Sequence, residues 1–130
     1  MSSSLKYGEL TSEILNAFYT VYNRLGYGFL ENVYENALAY ELRKRGHRAI
    51  QQAPIKVRYD AIIVGEYFAD ILIDGKVIVE LKTAERISEA HVAQLVNYLK
   101  ATGIEVGLLL NFGPKPEFRR KIFTQSKKSA

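Results

Sequence analysis

The chain has 130 residues, 48% hydrophobic and 25% charged, enough for one domain with its own core and too few for two. It has no cysteine, which excludes a disulfide scaffold and a thiolate zinc site, and its only histidines, His47 and His91, argue against an imidazole-rich metal centre. The net charge is +4, yet residues 113–130 hold six basic side chains against the single acid Glu117, a local +5 that leaves −1 for the first 112 residues. A basic footprint of that kind suits a polyanion such as nucleic acid, although solvated basic ends are common. No apolar run approaches the roughly 20 residues that span a bilayer. The first five residues lack a charged start followed by an apolar stretch, so a cytoplasmic protein is expected.

In chain order, the first periodic segment runs from about residue 11 to residue 25. Ile14, Phe18, Val21, Tyr22 and Leu25 recur at helical spacing, and Gly26 is placed to end the helix. After the break at residues 26–28, a second helix is predicted from near Leu30 to Arg45, stopped by Gly46. Ile55, Val57 and Tyr59 alternate with Lys56 and Arg58, the pattern of a half-exposed strand beginning after Pro54. Two β-rich runs, residues 67–73 and 76–81, flank Asp74 and Gly75, a hairpin signal. A third helix follows Ser88 as its N-cap and stops at Gly103, with Val92, Leu95, Val96 and Leu99 as its apolar face. Residues 104–112 are almost wholly apolar, as in a central strand buried on both faces. This order predicts an α/β or α+β fold, a mixed central sheet flanked by helices. It forms one domain, 1–130, that ends in a basic C-terminal segment, 113–130.

The informative residues are those that interrupt the apolar strands. Asp70 stands inside the first run, and Glu80 and Lys82, two apart, share one face of the second. A carboxylate in such a place needs a partner, and a cation is the usual one. Oxygen ligands without His or Cys select a hard ion, Mg²⁺ or Mn²⁺. Parity supplies a test. A two-residue turn at Asp74 and Gly75 sets Asp70 opposite Val79, facing away from Glu80. A three-residue loop over 73–75, with Gly75 left-handed, pairs Asp70 with Ile78 and brings it to the Glu80 face, one diagonal step away. A metal site therefore requires the bulged hairpin or an equivalent bulge elsewhere. On the second helix Glu31, Glu35, Leu38 and Leu42 fall within one narrow sector at about 100° per residue. On the third, His91, Gln94 and Tyr98 form a polar row, and Gln and Tyr bind phosphate oxygens or base edges without adding charge. His47, just after Gly46, is expected to interact with the preceding helix C-terminus. No nucleophile elbow and no Walker pattern is present.

The string from Gly28 to Tyr34 spells Gly-x-x-Glu-x-x-Tyr, and with it the chain resembles the GxxExxY proteins of the PD-(D/E)XK nuclease-like superfamily. Asp70, Glu80-Leu81-Lys82 and Gln94-x-x-x-Tyr98 match that superfamily's elements in order, the last pair looking like that of RecB-type and Cas4-type nucleases. Ala69 stands where proline is frequent, and the RecB-type histidine of the first motif helix is absent, with Glu31 or Glu35 in its neighbourhood. The resemblance implies a restriction-endonuclease-like core and hydrolysis of phosphodiester bonds, in DNA ahead of RNA. It implies that Asp70, Glu80 and the Leu81 carbonyl hold Mg²⁺ (or Mn²⁺), that Lys82 orients the attacking water, and that Glu31, with Glu35 behind it, supports a second metal. Gln94 and Tyr98 would position the substrate backbone, and Arg119, Arg120 and Lys121 of the basic segment would bind substrate too. A fold of this kind also serves non-catalytic binding. A small core without a second domain suggests that a second copy or a protein partner supplies specificity.

Overall fold

The computed structural model describes residues 6–124. Helix α1 (Gly8–Leu25) leads into α2 (Glu31–Lys44), then β1 (Ala49–Tyr59), β2 (Ile62–Ile73), β3 (Val77–Lys82), α3 (Glu89–Thr102), β4 (Val106–Phe112) and β5 (Pro116–Ile122). The strands form one sheet in the order β1-β2-β3-β4-β5. Only β3 and β4 run parallel, joined through α3 as such a crossover requires. The mixed sheet flanked by helices is the fold the sequence predicts.

Two cores lie on opposite faces of this sheet. On one, Ile14, Phe18 and Val21 of α1 and Tyr34, Leu38 and Leu42 of α2 pack on Val77, Val79 and Leu81 of β3 and on Leu108, Leu110 and Phe112 of β4. On the other, Val92, Leu95 and Leu99 of α3 pack on Ile78, Leu109, Ile55 and Ala69. Every residue of β4 is buried, as its unbroken apolar run demands. Gly107 lets α3 approach, since a Cβ there would come within 2.7 Å of Leu95 Cδ1. The buried Asn111 side chain accepts from the Ala84 N–H and donates to the Ala84 carbonyl, both at 2.9 Å, which fixes the loop leaving Lys82.

Several boundaries differ from the sequence reading. Helix α1 begins three residues earlier, because Thr11 is used inside the first turn, where its hydroxyl donates to the Tyr7 and Gly8 carbonyls. Strand β1 starts at Ala49 and runs through Pro54, tolerable because β1 is an edge strand. Strand β2 starts five residues before the expected 67, so β1 and β2 form a long arm turning at Asp60 and Ala61. The basic segment is not a tail throughout: residues 116–122 are the edge strand β5, paired along β4. Charge there reads as tail in a sequence, yet charged residues are how edge strands resist unwanted pairing. Lys127 and Lys128 lie outside the described residues. Among the described residues no helix is long and apolar enough to cross a membrane.

The hairpin adopts a register that neither alternative anticipated. The loop is the three residues 74–76, with Asp74 (φ 53°) and Gly75 (φ 66°) both left-handed, and Ile73 pairs with Val77. Parity is therefore that of a three-residue loop, but displaced by one residue, and it sets Asp70 level with Glu80 rather than diagonal to it.

Candidate active site

Strands β2 and β3 stop pairing through their backbones at Ile71 and Val79. One step further, side chains take over. Glu80 Oε2 accepts from the Asp70 N–H at 2.9 Å, and Asp70 Oδ2 accepts from the Leu81 N–H at 2.8 Å. On its other side Asp70 faces Gln52, the position missing between the pairs Gln51–Ile71 and Ala53–Ala69. Gln52 sits at φ 53°, a conformation that a residue of its kind adopts only when its surroundings hold it. Here the strands change face: Ile71 belongs to the core under α1 and α2, while Ala69, only two residues away, belongs to the core under α3. The irregularity leaves Asp70 in a break of the sheet, beside Glu80 and clear of the regular ladder.

The carboxylates crowd one another. Glu80 is 4% exposed, and burial, then the charge of Asp70, pushes its pKa up to about 8. Burial also raises Asp70, opposed by the Leu81 N–H and reinforced by Glu35. Glu31 opens α2 half-buried and is raised by burial and then by Asp70, while Lys82 pulls it down. None of Glu31, Asp70, Glu80 and Lys82 makes an ion pair among the described residues. Buried Tyr98 of α3 is raised by burial and then by Glu80 and Asp70, which places its hydroxyl in the same field. Half-buried Gln94 lies one turn earlier on α3.

Glu35 behaves differently from Glu31. Its oxygens accept from Gln51 Nε2 at 2.8 Å and from Gln52 Nε2 at 2.9 Å, so it braces β1 against α2 instead of standing free as a ligand. Tyr34 of the Gly-x-x-Glu-x-x-Tyr string is fully buried; its hydroxyl donates to the Gly26 carbonyl and accepts from the Phe29 N–H, and its ring stacks on Phe112 at 4.3 Å. It fastens the loop that delivers Glu31. Arg119, Arg120 and Lys121 do not act as a group, because successive strand residues face opposite sides. Arg119 and Lys121 lie level with Leu109 and Gly107 on the α3 face, and Arg120 turns to the other face and donates to the Lys6 carbonyl. The sequence reading missed Gln52. Two adjacent amides ahead of Pro54 were the available signal.

The mixed sheet flanked by helices, with an aspartate at a broken strand pairing and a Glu-x-Lys opposite it, is an α+β scaffold of the restriction-endonuclease-like class. The chain belongs to the PD-(D/E)XK nuclease superfamily, which it matches over residues 8–121, and its core is accordingly restriction-endonuclease-like. Among solved structures it is similar to the crystal structure of SSO0001 at 18% identity and a TM-score of 0.57; the match covers 74% of this chain and 52% of the other, so this chain spans about half that protein's length. That likeness is one of fold. A looser similarity, TM-score 0.41 at 23% identity over 68% of this chain and 72% of the other, is to Hjc, a Holliday junction resolvase of the archaeal hyperthermophile Archaeoglobus fulgidus. No curated protein matches the chain.

Nucleases of this superfamily generally use divalent metals, and the residues here suit one. The donors are oxygens, and buried Glu80 and half-buried Asp70 are raised together by burial, with no ammonium in contact. Among the described residues no third acidic or imidazole side chain converges with them.

Proposed function

We propose that this chain is a GxxExxY-type nuclease that hydrolyses phosphodiester bonds in DNA with Mg²⁺ or Mn²⁺ as its cofactor. The observation that carries this reading is the opposed pair of half-buried Asp70 and buried Glu80 in a break of the sheet, with Lys82 two residues further along β3. Asp70, Glu80 and the Leu81 carbonyl would hold the ion, with Glu31 supporting a second. A bound divalent ion supplies Lewis acidity at the phosphate and lowers the pKa of a nucleophilic water. Lys82 presents an ammonium that orients the water and offsets charge on the scissile phosphate. Gln94 and Tyr98 contact the substrate backbone without adding charge beside the paired carboxylates. Glu35, through Gln51 and Gln52, keeps the break in place. A second copy or a protein partner is proposed as the source of sequence specificity.

The test is cleavage of labelled single- and double-stranded DNA with Mg²⁺ or Mn²⁺, together with metal titration by calorimetry. Wild type binds metal and cleaves; Asp70→Ala with Glu80→Ala does neither. Metal binding without cleavage of any nucleic acid, RNA included, returns the chain to the alternative of a non-catalytic binding module on the same fold.

A further inference from the structure

Between the β1–β2 arm and α3 lies an open groove of about 760 Å³. Lys56 and Arg58 border it from β1, Lys100 borders it from α3, and no acidic residue lines it. None of the three cations makes an ion pair among the described residues. At this point the β1–β2 pairing shifts register between Val57–Gly65 and Arg58–Ile63, with Val64 of β2 as the extra residue, a bulge that bends the arm beside the groove. The floor is aromatic. Tyr67 of β2 and Tyr98 of α3 stand with ring centroids 5.7 Å apart at 41°, Tyr98 almost wholly buried and Tyr67 49% exposed. A half-exposed tyrosine propped against a buried one is a pre-set stacking surface, because its partner limits the rotamer freedom that binding would otherwise cost. Gln94 and Tyr98 line the groove, and Tyr98 also lies within the field of Glu80 and Asp70, so the groove and the carboxylates share that tyrosine.

Resting on the hydrolytic reading above, we propose that this groove holds the substrate as a single strand of nucleic acid, with a base stacked on Tyr67 and successive phosphates on Lys56, Arg58 and Lys100. Cations along a channel with an aromatic face in it are what an unpaired strand requires. A paired base buries its faces in the duplex stack and has none to offer Tyr67. An acidic peptide would satisfy the cations but would leave the tyrosine pair unused.

The experiment is fluorescence anisotropy in EDTA, where cleavage cannot intervene, with the full chain titrated into a fluorescein-labelled oligothymidine or a blunt duplex of equal length. The single strand is expected to bind more tightly. Tyr67→Ala should weaken it about tenfold, and Tyr67→Phe should restore it, a rescue that a folding defect would not permit. Replacing Lys56, Arg58 and Lys100 together by alanine should reduce the log–log salt slope by about 2, at roughly 0.7 for each phosphate no longer neutralised. Wild-type affinity in these variants, or tighter binding of the duplex, overturns the proposal; so does failure of the wild type to bind the oligonucleotide while it binds an acidic peptide. The two readings fail separately. Groove-dependent strand binding without any metal-dependent cleavage upholds the groove and removes the hydrolysis. Unchanged cleavage of single strands by the groove variants removes the groove and leaves the hydrolysis.

Discussion

Asp70 and Asp74 stand four residues apart on one hairpin, and they occupy opposite kinds of environment. Asp74, at the turn, has each oxygen matched: Oδ1 accepts from the Arg48 N–H at 2.8 Å, and Oδ2 meets His47 Nδ1 at 2.8 Å, whose Nε2 meets Glu13 Oε1 at 2.7 Å. That chain of contacts ties α1, the start of β1 and the β2–β3 turn together. It lowers Asp74, despite some burial, through Arg48 and His47, and it raises His47 chiefly through Asp74. Asp70, at the break in the sheet, has another carboxylate for its neighbour, and both acids are raised. The first cluster is arranged for stability. The second is held at a cost by the surrounding fold, which on the proposed function a ligand of opposite charge would offset.

The sharpest way to break this contrast is Lys82→Ala. Loss of a positioned charge at the scissile phosphate should lower turnover about 10²–10³-fold, while strand binding and the thermal midpoint stay near wild type. A parallel fall in binding would move Lys82 from chemistry to affinity.

Next in size is Glu80→Gln. Folded Glu80 holds its proton to about pH 8, against 4.5 for the ordinary group, so the folded state binds more protons than the unfolded one over that interval. Metal-free stability should therefore fall as pH rises from about 4.5 through about 8. At pH 9 the amide, which cannot ionise, should be the more stable protein by on the order of 1–2 kcal/mol. The same substitution should abolish metal binding in the calorimeter. A variant less stable than wild type at pH 9 would show that Glu80 is a satisfied structural acid like Asp74.

In the turn cluster both groups stabilise the fold in their charged forms. His47 is raised above 6.5, so its contribution is complete below that pH and disappears as pH rises through its folded value. Asp74 is lowered beneath 3.8, so its contribution holds above that pH and fades as pH falls through its folded value. Replacing His47 by alanine should cost about 0.5–1 kcal/mol at pH 5 and less at pH 9, with cleavage unaffected. Denaturant melts at the two pH values measure the difference. Smallest of all, Arg120→Ala should leave turnover unchanged, since its side chain turns away from the carboxylates; a clear loss would mean that β5 reaches the substrate.

His47 shows how partial a sequence reading of such groups is. Its place after Gly46 suggests the α2 C-terminus, and its backbone N–H does bond the Leu42 carbonyl at 3.0 Å, but its ring goes to two acids from other elements. His91, read from the sequence as part of a polar row, instead completes a capping box with the expected N-cap Ser88 at the start of α3. Glu31 and Glu35 look equivalent on a helical wheel, and nothing in the α2 sequence separates them. They part because Gln51 and Gln52, on a strand that follows, reach the second and not the first.

Local pattern determined a good deal on its own. Apolar period marked three helices and the buried β4, glycines marked their ends, and acids inside apolar runs marked Asp70 and Glu80, because each of these signals acts over a few neighbouring residues. Register, the break at Gln52 and Asp70, the strand character of residues 116–122 and the groove between the arm and α3 depend on partners distant in the chain. Only tertiary packing decided them. A pairing shifted by one residue turns every side chain to the other face, and the apolar cores on both sides of the sheet admit only the register that buries them. That register is what sets Asp70 beside Glu80.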